Sequence, residues 1–430
     1  MLQPTPDFLP IDFIVGRGAI SGLTAAIALS RVGHRVTVLE TPMGAGCRIP
    51  PNASKLFCRW GMGERLRKCS VKSRGVLFVQ YSSGSMVGSH KWEEDYSDLS
   101  RILAESAAEH GAVFRGGCQV VSVEPDSQRP YVTLAMGEVI TGDVMIGADG
   151  CHVPPYHCRS PLVKKTGRSQ WECNCSKLDP QKEPMTGEPL FMLFVYAAYK
   201  EKDLFIGHAG REQLLQSLQG GDPRLLQLAQ HAQGIICIPM IERPFLEDWV
   251  HLRGRLIAIG EAAHPIPVSF HANHLSLVGR VVIGMAAGDA AVLGRLISHL
   301  RRKYQIGSFL NAIPEIRAGR VERVLHAAAG NIFAVSLPPG VAEARDRALR
   351  ERAERGIQEL VARKGSLGGL WAERSAEMRQ AIEKTFAYDP EDEADNWWVQ
   401  WGLMQERAAR MVISDAVTVY VNEDLQEESD

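Results

Sequence analysis

The opening of the chain alternates its apolar and polar positions as strand, turn, helix and strand. Asp12–Val15 is apolar and β-prone, and Ile20–Val32 carries apolar residues at helical spacing. Gly33 and His34 break that pattern, and Arg35–Leu39 alternates as a strand does. This is the first unit of a doubly wound sheet. Downstream, 97–110 predicts an amphipathic helix ended by Gly111, and short strands are expected at 119–123, 131–135 and 143–146. Residues 155–190 are rich in Pro, Lys and Ser and read as loops entering a second layer. The pattern then predicts a strand at 190–195, helices near 212–218 and 223–232, and a return to the sheet at 255–259. A long Ala- and Leu-rich helix follows over 284–304, with Val278-Gly279-Arg280 breaking the helical pattern ahead of it. Beyond Ile313 the chain is helical and highly charged, notably over 341–364 and 372–384, and its acidic end at 422–430 has the composition of disordered chain.

Composition narrows the partners more than the fold. With 430 residues, 45% hydrophobic and 23% charged, the chain has the make-up of an ordinary globular protein of two or three subdomains. Its net charge of -2 and the lack of a basic arm or aromatic-plus-basic stripe argue against a nucleic-acid partner. The longest apolar runs, such as 190–195, are too short to span a bilayer, and the first residues carry no signal-peptide pattern. Nine cysteines are scattered without a CxxC pair, which reads as reduced thiols in a cytoplasmic protein and gives no metal-ligand cluster. Trp397, Trp398 and Trp401 are expected to pack the C-terminal segment onto the core rather than to form a partner patch.

The first chemistry appears in the turn Gly16-Arg17-Gly18-Ala19-Ile20-Ser21-Gly22, set between a strand and a helix. Glycines let a backbone approach a pyrophosphate, and the helix N-terminus offers N–H groups and partial positive charge. Glu40, ending the second strand, is placed to accept from an adenosine ribose. The spacing is GxGxxxG, one residue longer than the usual fingerprint, so a glycine-rich turn that binds nothing is the plain alternative.

Further motifs run collinearly from about residue 10 to 400. Gly44-Ala45-Gly46-Cys47-Arg48-Ile49-Pro50-Pro51-Asn52-Ala53, followed by Trp60-Gly61, resembles a segment of the FAD-dependent monooxygenases related to salicylate hydroxylase. Ile146-Gly147-Ala148-Asp149-Gly150 is similar to their GADG motif, and Gly260-Glu261-Ala262-Ala263-His264-Pro265 to their GDAAHP motif. Asp289-Ala290-Ala291-Val292-Leu293 resembles the helix that follows, and Tyr388 with Trp397-Trp398 resembles the family's tail. The resemblance implies an α/β chain with a FAD/NAD(P)-binding doubly wound, glutathione-reductase-like fold, an inserted substrate-domain sheet and a helical C-terminal region. The boundaries it implies are 1–165 with 245–305 for the FAD-binding domain, 166–244 for the substrate portion, and 306–430 for the helical region. It implies FAD as cofactor and NAD(P)H as reductant, with one oxygen atom inserted into a small aromatic, polyketide or terpenoid substrate of secondary metabolism. Carried over by motif, the cofactor-binding set is Gly16, Gly18, Gly22, Glu40, Ala45, Tyr96, Arg101, Asp149, Gly150, Glu261, Ala262 and Pro265.

Several positions depart from the family pattern. Glu261 replaces the aspartate that reaches the ribityl chain, and the stretch 267–274 lacks the usual Gln-Gly and is followed by an extra apolar segment, 275–283. Tyr96 stands where an arginine is usual, with Arg101 as a possible substitute five residues on. Trp171-Glu172 stands where an aromatic-Arg pair serves the active site, and the spacer between Glu40 and Gly44 is short. Three readings stay open: a working monooxygenase, an inactive homologue, and a scaffold acting without redox chemistry as a cyclase, isomerase or pericyclase. Glu172 and His264, with His271 and His274, are the candidate acid–base groups.

Overall fold

The computed structural model describes residues 8–39, 47–97, 99–126, 128–150, 164–175, 191–198, 207–208, 210–242, 245–265, 278–333, 388–404 and scattered positions from 340 to 351. The chain opens with β1 (Asp12–Val15), α1 (Ile20–Arg31), β2 (Arg35–Leu39), β3 (Cys47–Arg48), α2 (Pro51–Arg59) and α3 (Gly63–Cys69). It continues with β4 (Val71–Val79), β5 (Met86–Ser97), α4 (Leu99–Glu109), β6 (Val113–Arg115), β7 (Val120–Glu124), β8 (Tyr131–Leu134), β9 (Val139–Thr141) and β10 (Val144–Gly147). Then come β11 (Lys164–Cys175), β12 (Phe191–Ala198), β13 (Gly207–His208), α5 (Arg211–Ser217), α6 (Pro223–Gln230), β14 (Gln233–Glu242) and β15 (Leu256–Ala258). Three helices close the described chain: α7 (Val278–Ile297), α8 (Ile306–Phe333) and α9 (Pro390–Trp397).

The organising layer is a parallel sheet in the order β15-β10-β1-β2-β6. Its inner strands are apolar on both faces because both are covered, the usual signature of a parallel sheet. Phe13, Val15, Val36, Val38, Val144, Ile146 and Ile257 pack into the large core with α1, α4 and α7. Ile14, Leu39, Met145 and Leu256 turn the other way, onto the small antiparallel sheet β7-β8-β9 through Val123, Val132 and Leu134. Chain alternation with period two thus produces both cores.

Two further sheets contain strands that the local pattern does not mark, although the resemblance implies an inserted substrate-domain sheet. β4 and β5 make a long hairpin that also pairs with β3, where the polar sequence Met86–Ser97 offers little apolar alternation. β11 runs through the segment expected to be loop and is an inner strand of the antiparallel sheet β12-β11-β14-β13. Lys, Ser and Asn along β11 hide it locally; pairing with β12 and β14, distant in sequence, is what makes it a strand.

The long helix is displaced from its expected span. α7 begins at Val278, so Val278-Gly279-Arg280 starts the helix instead of breaking it, and it ends at Ile297 rather than near Tyr304. A polar clamp explains the stop: the Gln305 side-chain carbonyl accepts from the Arg301 and Arg302 N–H groups at 2.9 and 2.8 Å, turning the chain toward α8. α9 then docks on this helical layer. Asp389 caps it by accepting from Glu391 N, and Arg59 of α2 bonds both Asp389 and Glu391. Arg295 of α7 forms a two-bond pair with Asp395 at 2.6 and 2.8 Å. Trp398 stacks on His299 and Trp397 bonds Glu315, whereas Trp401 remains 57% exposed and does not share that packing.

His34 ties the sheet to α7. Its Nδ1 accepts from Ile11 N at 3.3 Å and its Nε2 donates to the Ile297 carbonyl at 3.4 Å, an arrangement only the neutral ring can make. Burial pushes its pKa down from 6.5 to about 4, and burial does the same to His299. Below pH 6.5 the unfolded chain therefore takes up protons that the folded chain refuses. Folding stability is full above that pH and falls on acidification toward pH 4, by on the order of 2–3 kcal/mol through His34. Urea midpoints at a series of pH values check this; a His34→Gln variant should show a shallower acid limb, and an unchanged slope would remove His34 from the account.

Candidate active site at the carboxyl edge of the parallel sheet

Three adjacent strands end level with one another. Val15 pairs with Ile146 and Gly147 with Ala258, so β1, β10 and β15 deliver three turns to a single edge. From β1 comes Gly16 to Ala19, from β10 come Ala148, Asp149 and Gly150, and from β15 come Gly260, Glu261 and Ala262 in a single 3-10 turn. Backbone bonds tie the three together: Gly16 N donates to Ile146 O and Ile259 N to Gly147 O, each at 3.0 Å.

The glycines allow the turns to nest. A Cβ on Gly22 would collide with the Arg17 carbonyl oxygen and lie 2.9 Å from Val15 Cγ1 and 3.2 Å from Ala148 Cβ. The third glycine of the turn therefore does the work of close helix–strand packing although it stands one residue late. Gly260 lies in the left-handed region at φ 61°, and a Cβ there would sit 2.8 Å from Ser21 Cβ in the first turn of α1. Gly16 differs: a Cβ on it would make only ordinary contacts, 3.5 Å to Asp149 Oδ1 and 3.7 Å to Ile146 O. α1 has no side-chain cap and no acid in its first turn. Its leading N–H groups and partial positive charge thus face the edge without a resident anion from those positions. These features fit the pyrophosphate of FAD.

Behind the third turn lies a buried ionic cluster. Asp289 of α7 and Arg317 of α8 are 0% and 1% exposed and pair through Asp289 Oδ1 and Arg317 Nε at 2.8 Å. Asp289 Oδ2 accepts from Gly260 N at 2.9 Å and from His264 Nε2 at 2.6 Å. Arg317 Nη2 also donates to Met285 O at 3.2 Å. Burial alone would raise the Asp289 carboxyl, but His264 and Arg317 beside it hold it below the usual carboxylate range. Burial likewise works against the Arg317 charge, and Asp289 with Tyr388 more than restores it. Asp289 is accordingly a carboxylate, and His264 Nε2 must carry the proton it donates.

The sequence-derived site residues fall into distinct groups. Gly16, Gly18, Gly22, Asp149, Gly150, Glu261, Ala262 and Pro265 gather at or directly behind the sheet edge. Arg101, on the exposed side of α4, pairs with Glu105 one helical turn away, as an i,i+4 neighbour does. His264 is 2% exposed, packed against Trp249, with Nε2 committed to Asp289, which is the setting of a buried brace rather than of an acid–base group open to substrate. Tyr96 is described by its backbone, paired with Arg48 and Val71 in the hairpin sheet; Glu172 likewise lies on β11 opposite Phe194 and Ile236. Glu40, Ala45, His271 and His274, with the stretch 266–277, lie outside the described residues. Asp289 and Arg317 were not singled out from sequence as site residues; the available signal was one acid in the otherwise apolar run Met285–Leu293. No cluster of His, Cys, Asp or Glu suited to a metal occurs among the described residues, and no described helix is long and apolar enough to cross a membrane.

No protein-family model matches the chain. Curated relatives do: the FAD-dependent monooxygenase OpS4 of Beauveria bassiana is 26% identical over 398 residues, covering 80% of this chain and 90% of that protein. Among solved structures, CtdE in complex with FAD and its substrate superposes with a TM-score of 0.69 at 16% identity, covering 92% of this chain and 100% of that one. A salicylate hydroxylase substrate complex superposes with a TM-score of 0.62 at 17% identity, over 90% of this chain and 97% of the other. With the three turns sharing one sheet edge, these likenesses make the chain a homologue of the FAD-dependent monooxygenases, built on the same parallel-sheet α/β fold.

Proposed function

We propose that this protein is a FAD-dependent monooxygenase that uses NAD(P)H to hydroxylate or epoxidise a small phenolic, polyketide or terpenoid intermediate of secondary metabolism. The observation that carries this reading is the convergence of the Gly16, Asp149 and Gly260 turns on one edge, with the first turn of α1 uncapped. Gly16, Gly18 and the α1 N-terminus hold the pyrophosphate, and Glu40 the adenosine ribose. Glu261 accepts from the ribityl chain, Asp149 and Gly150 line the cofactor side of the sheet, and Ala262 and Pro265 shape the wall beside the ring. Ala45 and Tyr96 belong to the cofactor-binding set that the resemblance implies. Bound FAD, once reduced, supplies the oxygen-activating chemistry. The chain's own task is to bind it, exclude water and orient a substrate over the antiparallel sheet of β11–β14, whose strand β11 carries Glu172.

The non-redox reading gains no support from His264, whose ring is sealed in the core on Asp289. The test is a titration of the purified chain with FAD, followed by NAD(P)H oxidation with and without phenolic or polyketide compounds. Saturable FAD quenching and substrate-stimulated oxidation are expected. A chain that takes up no FAD, yet transforms a candidate intermediate, would overturn the proposal. Within this reading Glu172→Arg, which restores the pair usual at that position, is expected to raise substrate-stimulated turnover; a loss of turnover would assign Glu172 a role of its own.

A further inference from the structure

The turn that carries Glu261 is held from two sides. On one side Gly260 rests against Ser21, in the first turn of the helix whose N-terminus faces the phosphate position. On the other, one carboxylate oxygen of Asp289 takes both ends of the turn, Gly260 N and the His264 ring. Asp289 is itself held by Arg317, and Arg317 is anchored to the backbone of α7 through Met285 O. Within the turn, Ala263 N and His264 N both donate to Gly260 O, at 3.0 and 2.9 Å, so Glu261 sits in a closed loop whose two ends share one partner. Apolar packing would hold such a loop with a tolerance of an ångström or so. Charge-assisted hydrogen bonds from two helices fix both distance and direction.

We infer that Asp289 and Arg317 are positioning residues for the flavin half of the cofactor site, acting through the Gly260–His264 turn that presents Glu261. The inference rests on the proposed FAD binding. It separates the two halves of the cofactor: the brace acts on the ribityl and ring end, while the adenosine diphosphate end is held by the β1–α1 turn. Buried ion pairs are weak contributors to stability compared with apolar residues of equal volume, so a purely structural core had no need of three buried polar side chains here.

The experiment compares FAD and ADP affinities, by fluorescence quenching and calorimetry, in the original protein, Asp289→Asn, Arg317→Lys, Glu261→Gln, and the Asp289→Asn/Glu261→Gln double variant. FAD affinity should fall on the order of tenfold in Asp289→Asn and in Arg317→Lys, the weight of one charge-assisted hydrogen bond, while ADP affinity changes less than about twofold. The double variant should bind FAD no worse than the weaker single variant, because both changes disable the same contact. Equal losses of FAD and ADP would mark Asp289 and Arg317 as general structural residues and overturn the inference, as would unchanged FAD affinity. Additive losses in the double variant would do the same, by showing that the brace does not act through Glu261. If Asp289→Asn does not fold, Arg317→Lys, which keeps the buried charge, carries the same comparison of FAD with ADP. An original protein that binds ADP but no FAD removes the proposed function and the inference together, whereas FAD binding that all variants retain removes the inference alone.

Discussion

Gly22→Ala is expected to lose both cofactor binding and stability, whereas Gly16→Ala should lose binding alone. At position 22 the new methyl group meets the Arg17 carbonyl oxygen and the Val15 side chain with no flexible neighbour to yield. The first turn of α1 must then lift off β1 and β10, taking the leading N–H groups with it. Overpacking of this kind costs about 1–3 kcal/mol, and each N–H hydrogen bond lost to a bound anion costs about 1.5–3 kcal/mol, roughly tenfold or more in affinity. At position 16 the methyl group meets nothing closer than the Asp149 carboxylate at 3.5 Å, and the backbone is not in the left-handed region, so the fold accepts it. On the proposed reading it would narrow the approach of a pyrophosphate to the chain. Urea unfolding and FAD titration of both variants check the pair. A Gly16→Ala protein with original FAD affinity would show that no dinucleotide runs past Gly16.

Arg317→Met is expected to be the most destabilising single change in the helical layer. It leaves the Asp289 carboxylate buried without its cation, a situation that costs about 3–5 kcal/mol. Adding Asp289→Asn should return part of the loss, since a neutral amide can still accept from Gly260 N without a counter-charge. The denaturant midpoint is the measurement. Recovery in the double variant identifies the uncompensated charge as the cause; a further drop would instead point to packing around Arg317, including its contact with the Tyr388 ring. This prediction concerns folding and is independent of whether FAD binds.

The opening unit was legible because its physics is local. Asp12–Val15, Ile20–Arg31 and Arg35–Leu39 appear within a residue of where periodicity put them, since apolar spacing and the Gly33 break act over a few residues. The α5 and α6 helices and β8 follow the same logic, each bounded by Gly, Asp-Pro or turn residues. The hairpin of β4 and β5 and the inner strand β11 were not legible: their residues are mixed, and their strand character depends on partners far along the chain. Arg101 shows a related effect: its proximity in sequence to Tyr96 does not set the angle at which α4 presents it, and there it pairs with Glu105.

The sequence by itself determined the fold class and the collinear motifs around Gly16, Asp149 and Glu261, because glycine spacing and strand-ending motifs are short-range constraints. Only the tertiary structure decided that Gly22 serves in place of a glycine one residue earlier, that His264 belongs to the core, and that Asp289 and Arg317 brace the Glu261 turn. Those outcomes depend on which helices cross above the sheet and how far their side chains are shut off from water. Burial, which converts an ordinary Asp, His or Arg into an obligate hydrogen-bond partner, is a property of the packed layers and not of any segment within them.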